Sequence, residues 1–309
     1  MKNEESLSIE KIVLVGAGNV ATHLGTALRD AGYVVVQVFS RTGESASALA
    51  EKLGCPYTTD ISRIVPDAGL YIVSVKDSVL AEVVPPLVRR NPEALFVHTA
   101  GSMPMDVWKG EAVRYGVLYP MQTFSKGRAV DFTAVPFFIE GSGEEEAGAL
   151  RALAERIGGH AYEATSEQRR YLHIAAVFAC NFTNHMYALA HRLLAAHGLP
   201  FEAMLPLIDE TARKVHELPP AEAQTGPARR YDGNVIGKHL EMLAGEPRLA
   251  ELYEKISRNA ITTANALKKG LAAKGYQFFM DSPTNQLFIV FPNEQLAALE
   301  GKAKFGFWE

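Results

Sequence analysis

The feature that most constrains this chain is a glycine turn set between a short apolar run and an amphipathic segment. Lys11 to Val15 leads into Gly16-Ala17-Gly18-Asn19-Val20-Ala21, Thr22 to Asp30 is amphipathic, and Val34 to Phe39 is a second apolar run. Strand, glycine turn, helix, strand is the first βαβ unit of a dinucleotide-binding fold. In that reading Gly16 allows the tight turn and Gly18 keeps a Cβ from standing between backbone and pyrophosphate. Ala21 replaces the third glycine where the helix packs on the sheet. Free N–H groups at Asn19 and Val20, with the positive end of the helix dipole, then face the phosphates. The competing reading is a strand–helix turn of some other α/β protein, and the context favours the dinucleotide.

Composition narrows the partners. With 48% apolar and 21% charged residues, the 309-residue chain is a folded protein with room for one large or two ordinary domains. A net charge of −4 leaves no electrostatic footprint for nucleic acid or an anionic membrane. No apolar run approaches the ~20 residues that span a bilayer. Met1 to Glu10 is acidic and does not read as a signal peptide, and the expected location is the cytoplasm. Cys55 and Cys180 are too few and too separated for a disulfide framework or a zinc site, so no metal is expected.

Ser40-Arg41-Thr42 closes the second strand where an NAD site usually carries an acid for the ribose 2′-OH. A guanidinium flanked by hydroxyls suits a 2′-phosphate instead, which points to NADP. NAD stays open as the alternative, with Glu44 taking the ribose and Arg41 in solvent. Ser45 to Leu53 reads as a helix capped by Ser45 and closed by Gly54. Leu70 to Val75 is a buried strand, and Ser74 and Val75 at its carboxyl end should pass the cofactor. Val79 to Arg90 reads as helical, kinked or restarted at Pro85-Pro86. Leu95 to Thr99 is the next strand, and its end brings His98, Thr99 and Gly101 to the same edge. Gly116 to Tyr119 and Pro136 to Ile139 are further strands, and Ser142 to Glu145 has the spacing of a capping box for a helix from Gly143 to Ile157. Strands alternating with helices to about residue 163 imply a mostly parallel, doubly wound sheet.

Beyond that point the pattern is helical. Ser166 to Ala196 is one long run, followed by Phe201 to His216, a run to Leu243 capped by Asn234, and Leu249 to Leu267. On the first of these His173, Cys180 and Asn184 fall within ~20° of one line, and Asn181 lies ~80° away, at ~100° per residue. Amides and imidazoles on so apolar a helix need partners or a wet cleft. His173, Asn181 and Asn184 together therefore read as a substrate site. Gln224 to Asp232 is a polar interhelical loop whose Arg229-Arg230 suits an anion or an ion pair with Asp232.

Taken in order, the glycine loop, Ser74-Val75-Lys76-Asp77, His98-Thr99-Ala100-Gly101-Ser102 and Tyr119-Pro120-Met121-Gln122-Thr123-Phe124 resemble a known group. So do His173 to Phe178, Asn181 to His185, Gln224 to Asp232 and His239-Leu240. Over roughly residues 10–258 the chain resembles the bacterial Rossmann-like NADP oxidoreductases. Their kin are deazaflavin-dependent NADP oxidoreductases, pyrroline carboxylate and ketopantoate reductases and phosphogluconate-type dehydrogenases. The ordered set is specific for the family and not for a reaction. The resemblance implies a helical second domain that forms a homodimer, with the active cleft between sheet and helices. Where hydroxyacid dehydrogenases among these kin carry a lysine four residues before the asparagine, this chain has Val177. His173 or His98 must then supply the proton, or none is supplied.

The expected organisation is a Rossmann α/β domain over 1–163, an all-helical domain over 164–262 and a short α/β tail over 263–309. Roughly the last 45 residues resemble a fragment of low-specificity threonine aldolases without their cofactor lysine, with strands at Tyr276 to Phe279 and Leu287 to Phe291. The functional expectation is an oxidoreductase moving a hydride between NADP(H) and a small carbonyl or imine. In it His173 is the acid, Asn181 and Asn184 hold the substrate, and Gln122 and Arg230 assist. The alternative is a sensor or scaffold that binds NADP(H) without chemistry.

Overall fold

The computed structural model describes residues 9–229, 232–273, 277–278 and 289–290. The chain packs as two units, Met1–Leu193 and Leu194–Glu309.

In the first unit eight strands form one sheet: β1 (Lys11–Val15), β2 (Val34–Phe39), β3 (Tyr57–Thr58), β4 (Leu70–Val73), β5 (Leu95–His98), β6 (Arg114–Pro120), β7 (Pro136–Gly141) and β8 (His160–Glu163). Their order is β3-β2-β1-β4-β5-β6-β7-β8, parallel except where β6 meets β7. The reversal of direction lies between β1 and β4, the place where an open α/β sheet binds its ligand. Helices α1 (Asn19–Asp30), α2 (Gly43–Leu53), α3 (Asp77–Val88) and α4 (Glu144–Arg156) connect the strands. The α/β, doubly wound architecture read from the sequence is thus present.

Period-two alternation along β1 builds both layers. Ile12 and Leu14 pack with Leu24 and Leu28 of α1, Leu49 and Leu53 of α2 and Leu150 of α4. Val13 and Val15 turn to the other face, with Leu80 and Val84 of α3 and Trp108. Each such fully buried side chain contributes about 1.5–3 kcal/mol. Ala21 is buried as expected, and Gly25, one turn further along α1, is just as tight. A Cβ on Gly25 would lie 2.6 Å from Leu14 Cδ1 and 3.1 Å from Leu53 Cδ1.

Several local expectations are corrected. Ser45 lies inside α2, whose N-cap is Thr42, although Gly54 closes the helix in the left-handed conformation as expected. Helix α3 runs through Pro85 and Pro86. Ser142 does not cap α4: Gly143 is the N-cap, and Ser142 Oγ instead accepts the Tyr115 N–H at 3.2 Å. The long helix after β8 is interrupted. It runs as α5 (Ser166–Ala176), a π-helical segment Val177–Phe182 and α6 (Thr183–Ala196).

The second unit contains α7 (Leu205–Glu217), α8 (Pro220–Ala223), α9 (Gly233–Met242) and α10 (Pro247–Ala273). Asp232, not Asn234, caps α9 by accepting the Val235 N–H at 3.1 Å. His239 Nδ1 lies 2.7 Å from the Tyr253 hydroxyl, which joins α9 to α10. The tail lies largely outside the described residues. Within it, β9 (Gln277–Phe278) and β10 (Ile289–Val290) pair antiparallel, inside the two expected strands. Among the described residues no helix is long and apolar enough to cross a membrane, and no group of side chains could hold a metal ion.

Candidate active site

The glycine turn is positioned by its neighbours. Gly16, at φ +121°, donates its N–H to Phe39 O at 2.7 Å, and the Ser74 N–H reaches Val15 O at 2.8 Å. These bonds draw the ends of β1, β2 and β4 together. Gly18 adopts an ordinary extended φ of −81°, and a Cβ built there would meet nothing within 4 Å. Helix α1 has no side-chain cap and no acid in its first turn. Its first N–H groups, Val20 among them, follow directly on Gly18. Arg41 is exposed beyond β2, between Ser40 and Thr42, with no ion pair among the described residues. An open cradle, uncapped helical donors and a nearby guanidinium fit a dinucleotide phosphate set.

Asn19 does something else. Its Nδ2 donates to Phe124 O at 2.8 Å, and His23, one turn along, places Nε2 2.9 Å from Ser125 O. Side by side on α1, the two residues anchor the loop after β6. That loop carries Gln122, whose Oε1 accepts the Thr123 N–H at 2.7 Å and which is exposed. The Asn19 side chain is therefore committed to a loop, and only its backbone N–H remains for a phosphate.

At the carboxyl edge Ser74 Oγ and Thr99 Oγ1 lie 2.9 Å apart and bridge the ends of β4 and β5. Val75, half-buried, packs on the core face shared with α3. The Ser102 hydroxyl bonds the Asp77 carboxylate, which ties the loop after β5 to the start of α3. His98 does not face this edge. It is buried, stacks 6.3 Å from the Trp108 ring, accepts the Ala100 N–H at Nδ1 and lies 3.3 Å from Pro104 O through Nε2. Burial, reinforced by the Arg169 cation and opposed by Pro104 O, holds its pKa down at about 3. His98 is thus a neutral structural imidazole, which removes it as proton donor. From the ordinary 6.5 down to about 3, the unfolded chain protonates this ring and the folded chain does not. Stability should therefore fall on acidification through that window, by up to about 1.4 kcal/mol per pH unit from this group. Urea titrations should show a shallower acid slope for His98→Gln; equal slopes would contradict this placement.

His173 does reach the edge. Helix α5 is held by Arg169, whose side chain is fully buried. Nη1 meets Glu140 Oε2 at 2.6 Å and Nη2 meets Met103 O at 2.6 Å. Ser166 adds bonds to Glu140 and to the Met105 N–H, and Thr165 with Gln168 forms a capping box. One turn beyond Arg169, His173 lies over Gly101, with Nδ1 3.3 Å from the Tyr119 hydroxyl. A Cβ on Gly101 would come within 2.8 Å of both His173 Nδ1 and Tyr119 Cζ. Burial raises the pKa of Tyr119, against the lowering effect of Arg169.

Asn181 lies in the π segment and Asn184 in α6, both exposed and with no side-chain hydrogen bond among the described residues. The wide turn takes in an extra residue, which rotates α6 by about 100° relative to an unbroken helix. The common line of His173 and Asn184 expected from a uniform repeat therefore does not carry across it. Arg230 lies outside the described residues. Sequence reasoning missed Tyr119, Arg169 and Glu140 as site residues. The only signal was Tyr119 opening a motif shared with the family.

Strand order, glycine turn and the edge above β4 and β5 define a Rossmann-type dinucleotide-binding domain. Residues 11–101 match the family described as NADP oxidoreductase coenzyme F420-dependent. Residues 135–260 match a domain of unknown function, DUF2520. The chain is 59% identical to a Bacteroides fragilis protein of solved structure, described provisionally as an NADP oxidoreductase. That match covers 82% of this chain and 100% of the other, with TM-score 0.79. An imine reductase from Myxococcus stipitatus, solved with NADP+, shares the fold at 16% identity and TM-score 0.60, over 82% of this chain and 94% of that one. A stretch of 71 residues is 42% identical to glutamyl-tRNA reductase of Deinococcus radiodurans, 22% of this chain and only 20% of that enzyme. The chain belongs to the Rossmann NADP oxidoreductase family of the Bacteroides protein.

Proposed function

We propose that the protein is an NADP-dependent oxidoreductase that reduces, or forms by oxidation, a small carbonyl or imine compound. The observation that carries this reading is His173, held by a buried ion pair and a tyrosine over Gly101, at the edge that begins with the glycine turn. Bound there, NADPH supplies the hydride. The chain's own residues do the rest. Gly18 and the first turn of α1 receive the pyrophosphate, and Arg41 with Ser40 and Thr42 receives the 2′-phosphate. Ser74, Val75, Thr99 and Gly101 shape the edge. His173 exchanges a proton with the substrate oxygen or nitrogen, as a positioned imidazole can. Asn181 and Asn184 orient the substrate, with Gln122 and Arg230 as further candidates.

Stopped-flow NADPH oxidation across keto acids, cyclic imines and deazaflavins tests the reading. Turnover that disappears in His173→Ala supports it. Tight NADPH binding with no turnover on any of them would instead assign a sensor or scaffold, the reading favoured by Val177 where related dehydrogenases carry a lysine. Arg41→Ala should weaken NADPH about 10- to 100-fold and leave NADH unchanged, the size of one charge-assisted contact. Equal losses for both cofactors would remove Arg41 from the phosphate.

The homodimer belongs to this proposal. In the first unit Tyr171 and Phe178 are 68% and 65% exposed, and in the second Met242 is 82% exposed. Surfaces this apolar suit a second copy. Light scattering should return twice the 33.7 kDa of one chain; a monomer at micromolar concentration would refute it. The cytoplasmic location and the aldolase-like origin of the tail belong to the same reading, with no chemistry assigned to the tail.

A further inference from the structure

His173 is not held by its own helix alone. Tyr119 comes from β6, two strands along from β4, and its ring meets the imidazole edge-on, with centroids 6.2 Å apart and planes at 67°. Its hydroxyl lies 3.3 Å from Nδ1. The contact exists because residue 101 is glycine, since any Cβ there would press on both rings. The turn before His173 is fixed by Arg169 against Glu140 and Met103 O, so α5 has little freedom to slide or rotate. Tyr119 and Gly101 thus both lie against Nδ1, while Nε2 has no hydrogen bond among the described residues.

We propose that Tyr119 is a positioning residue that ties His173 Nδ1 and makes Nε2 the nitrogen that exchanges the proton with substrate. The inference rests on the oxidoreductase reading for its chemical consequence, although the hydrogen bond itself does not. In the imidazolium both nitrogens carry hydrogen: Nδ1–H donates to the Tyr119 oxygen, and Nε2–H is left for the substrate. As the hydride of NADPH reduces the carbonyl or imine carbon, the Nε2–H bond breaks and its proton joins the substrate oxygen or nitrogen. The ring is left neutral with hydrogen on Nδ1, still bonded to Tyr119, the cofactor is left as NADP+, and Nε2 recovers a proton from solvent. A tyrosine hydroxyl can accept from Nδ1–H or donate to a bare Nδ1, and opposite the imidazolium only acceptance is open, so Tyr119 holds Nδ1–H while Nε2 gives up its proton. The charged and titratable groups facing the pair are Arg169 on α5, neutralised by Glu140 of β7, and Cys180 in the π segment, which acts electrostatically on Tyr119. His98 of β5, which also feels Arg169, stays neutral, buried against Trp108.

The test uses the full chain labelled with 15N-histidine and titrated by long-range 1H–15N NMR, beside pH–rate profiles for NADPH oxidation. In the wild type the neutral His173 ring should carry its hydrogen on Nδ1. Tyr119→Phe should lose that preference, displace the pH–rate profile, and reduce kcat about tenfold with KM little changed. Gly101→Ala, whose Cβ would press within 2.8 Å of His173 Nδ1 and Tyr119 Cζ and part the pair, should scramble the tautomer in the same way if Tyr119→Phe folds poorly. An unchanged tautomer and an unchanged rate profile in a folded Tyr119→Phe would overturn the proposal. If the wild type turns over no substrate, the oxidoreductase reading falls, while the NMR measurement still decides whether Tyr119 sets the nitrogen.

Discussion

Gly16→Ala should lose the fold around the glycine turn, whereas Gly18→Ala should keep it and lose only nucleotide affinity. A Cβ on Gly16 would sit 2.2 Å from Ser74 O and 2.8 Å from Ser74 C, both backbone atoms that cannot swing aside. The φ of +121° adds strain that only glycine escapes. Overpacking and a forbidden backbone angle together cost about 2–6 kcal/mol, a large share of a domain's stability. The bonds that join β1 to β2 and β4 would open with it. At Gly18 the backbone is ordinary and the added methyl meets no protein atom, so urea midpoints should match the wild type. NADPH affinity should still fall, because the methyl occupies the cradle that the phosphates enter. Equal stabilities for wild type and Gly16→Ala, or undiminished NADPH binding by Gly18→Ala, would contradict the assigned geometry.

Glu140→Gln should destabilise the first unit by about 3–5 kcal/mol, because it strands a buried guanidinium. The Arg169 side chain is fully buried and that of Glu140 is 18% exposed, so water cannot take over the missing charge. Glu140 also accepts the Ser166 N–H at 3.0 Å and the Ser166 hydroxyl at 2.7 Å. Losing it frees the start of α5 and, one turn on, His173. Replacing both partners with apolar residues, Glu140→Leu with Arg169→Met, should cost less than Glu140→Gln alone. Denaturant unfolding of the three proteins decides this, and a double variant at least as unstable as Glu140→Gln would mean that the charges add net stability.

The first crossover was legible in the sequence because each of its requirements is local. A glycine must precede and follow Ala17, a helix must begin at once, and apolar strands must flank it, all within a few turns of chain. The same holds for the glycine that closes α2 and for the alternation that buries β1 on both faces. His98 was misread for a reason that no local pattern contains. At a strand end an imidazole can face solvent or turn under the sheet, and Trp108, ten residues later, turned it under. The capping roles of Ser142 and Asn234 failed similarly: their neighbours Gly143 and Asp232 took the position.

From the sequence alone came the class of fold and NADP as the cofactor, since the glycine turn and Ser40-Arg41-Thr42 lie within one stretch of chain. Only tertiary structure showed that His98 is buried and which residues hold His173. Glu140, Arg169, Gly101 and Tyr119 are distant in sequence and ordinary in type. They acquire a role because antiparallel β7 and the helix after β8 bring a carboxylate and a guanidinium together out of water. There one ion pair outweighs any local preference and fixes where the next turn of helix must lie.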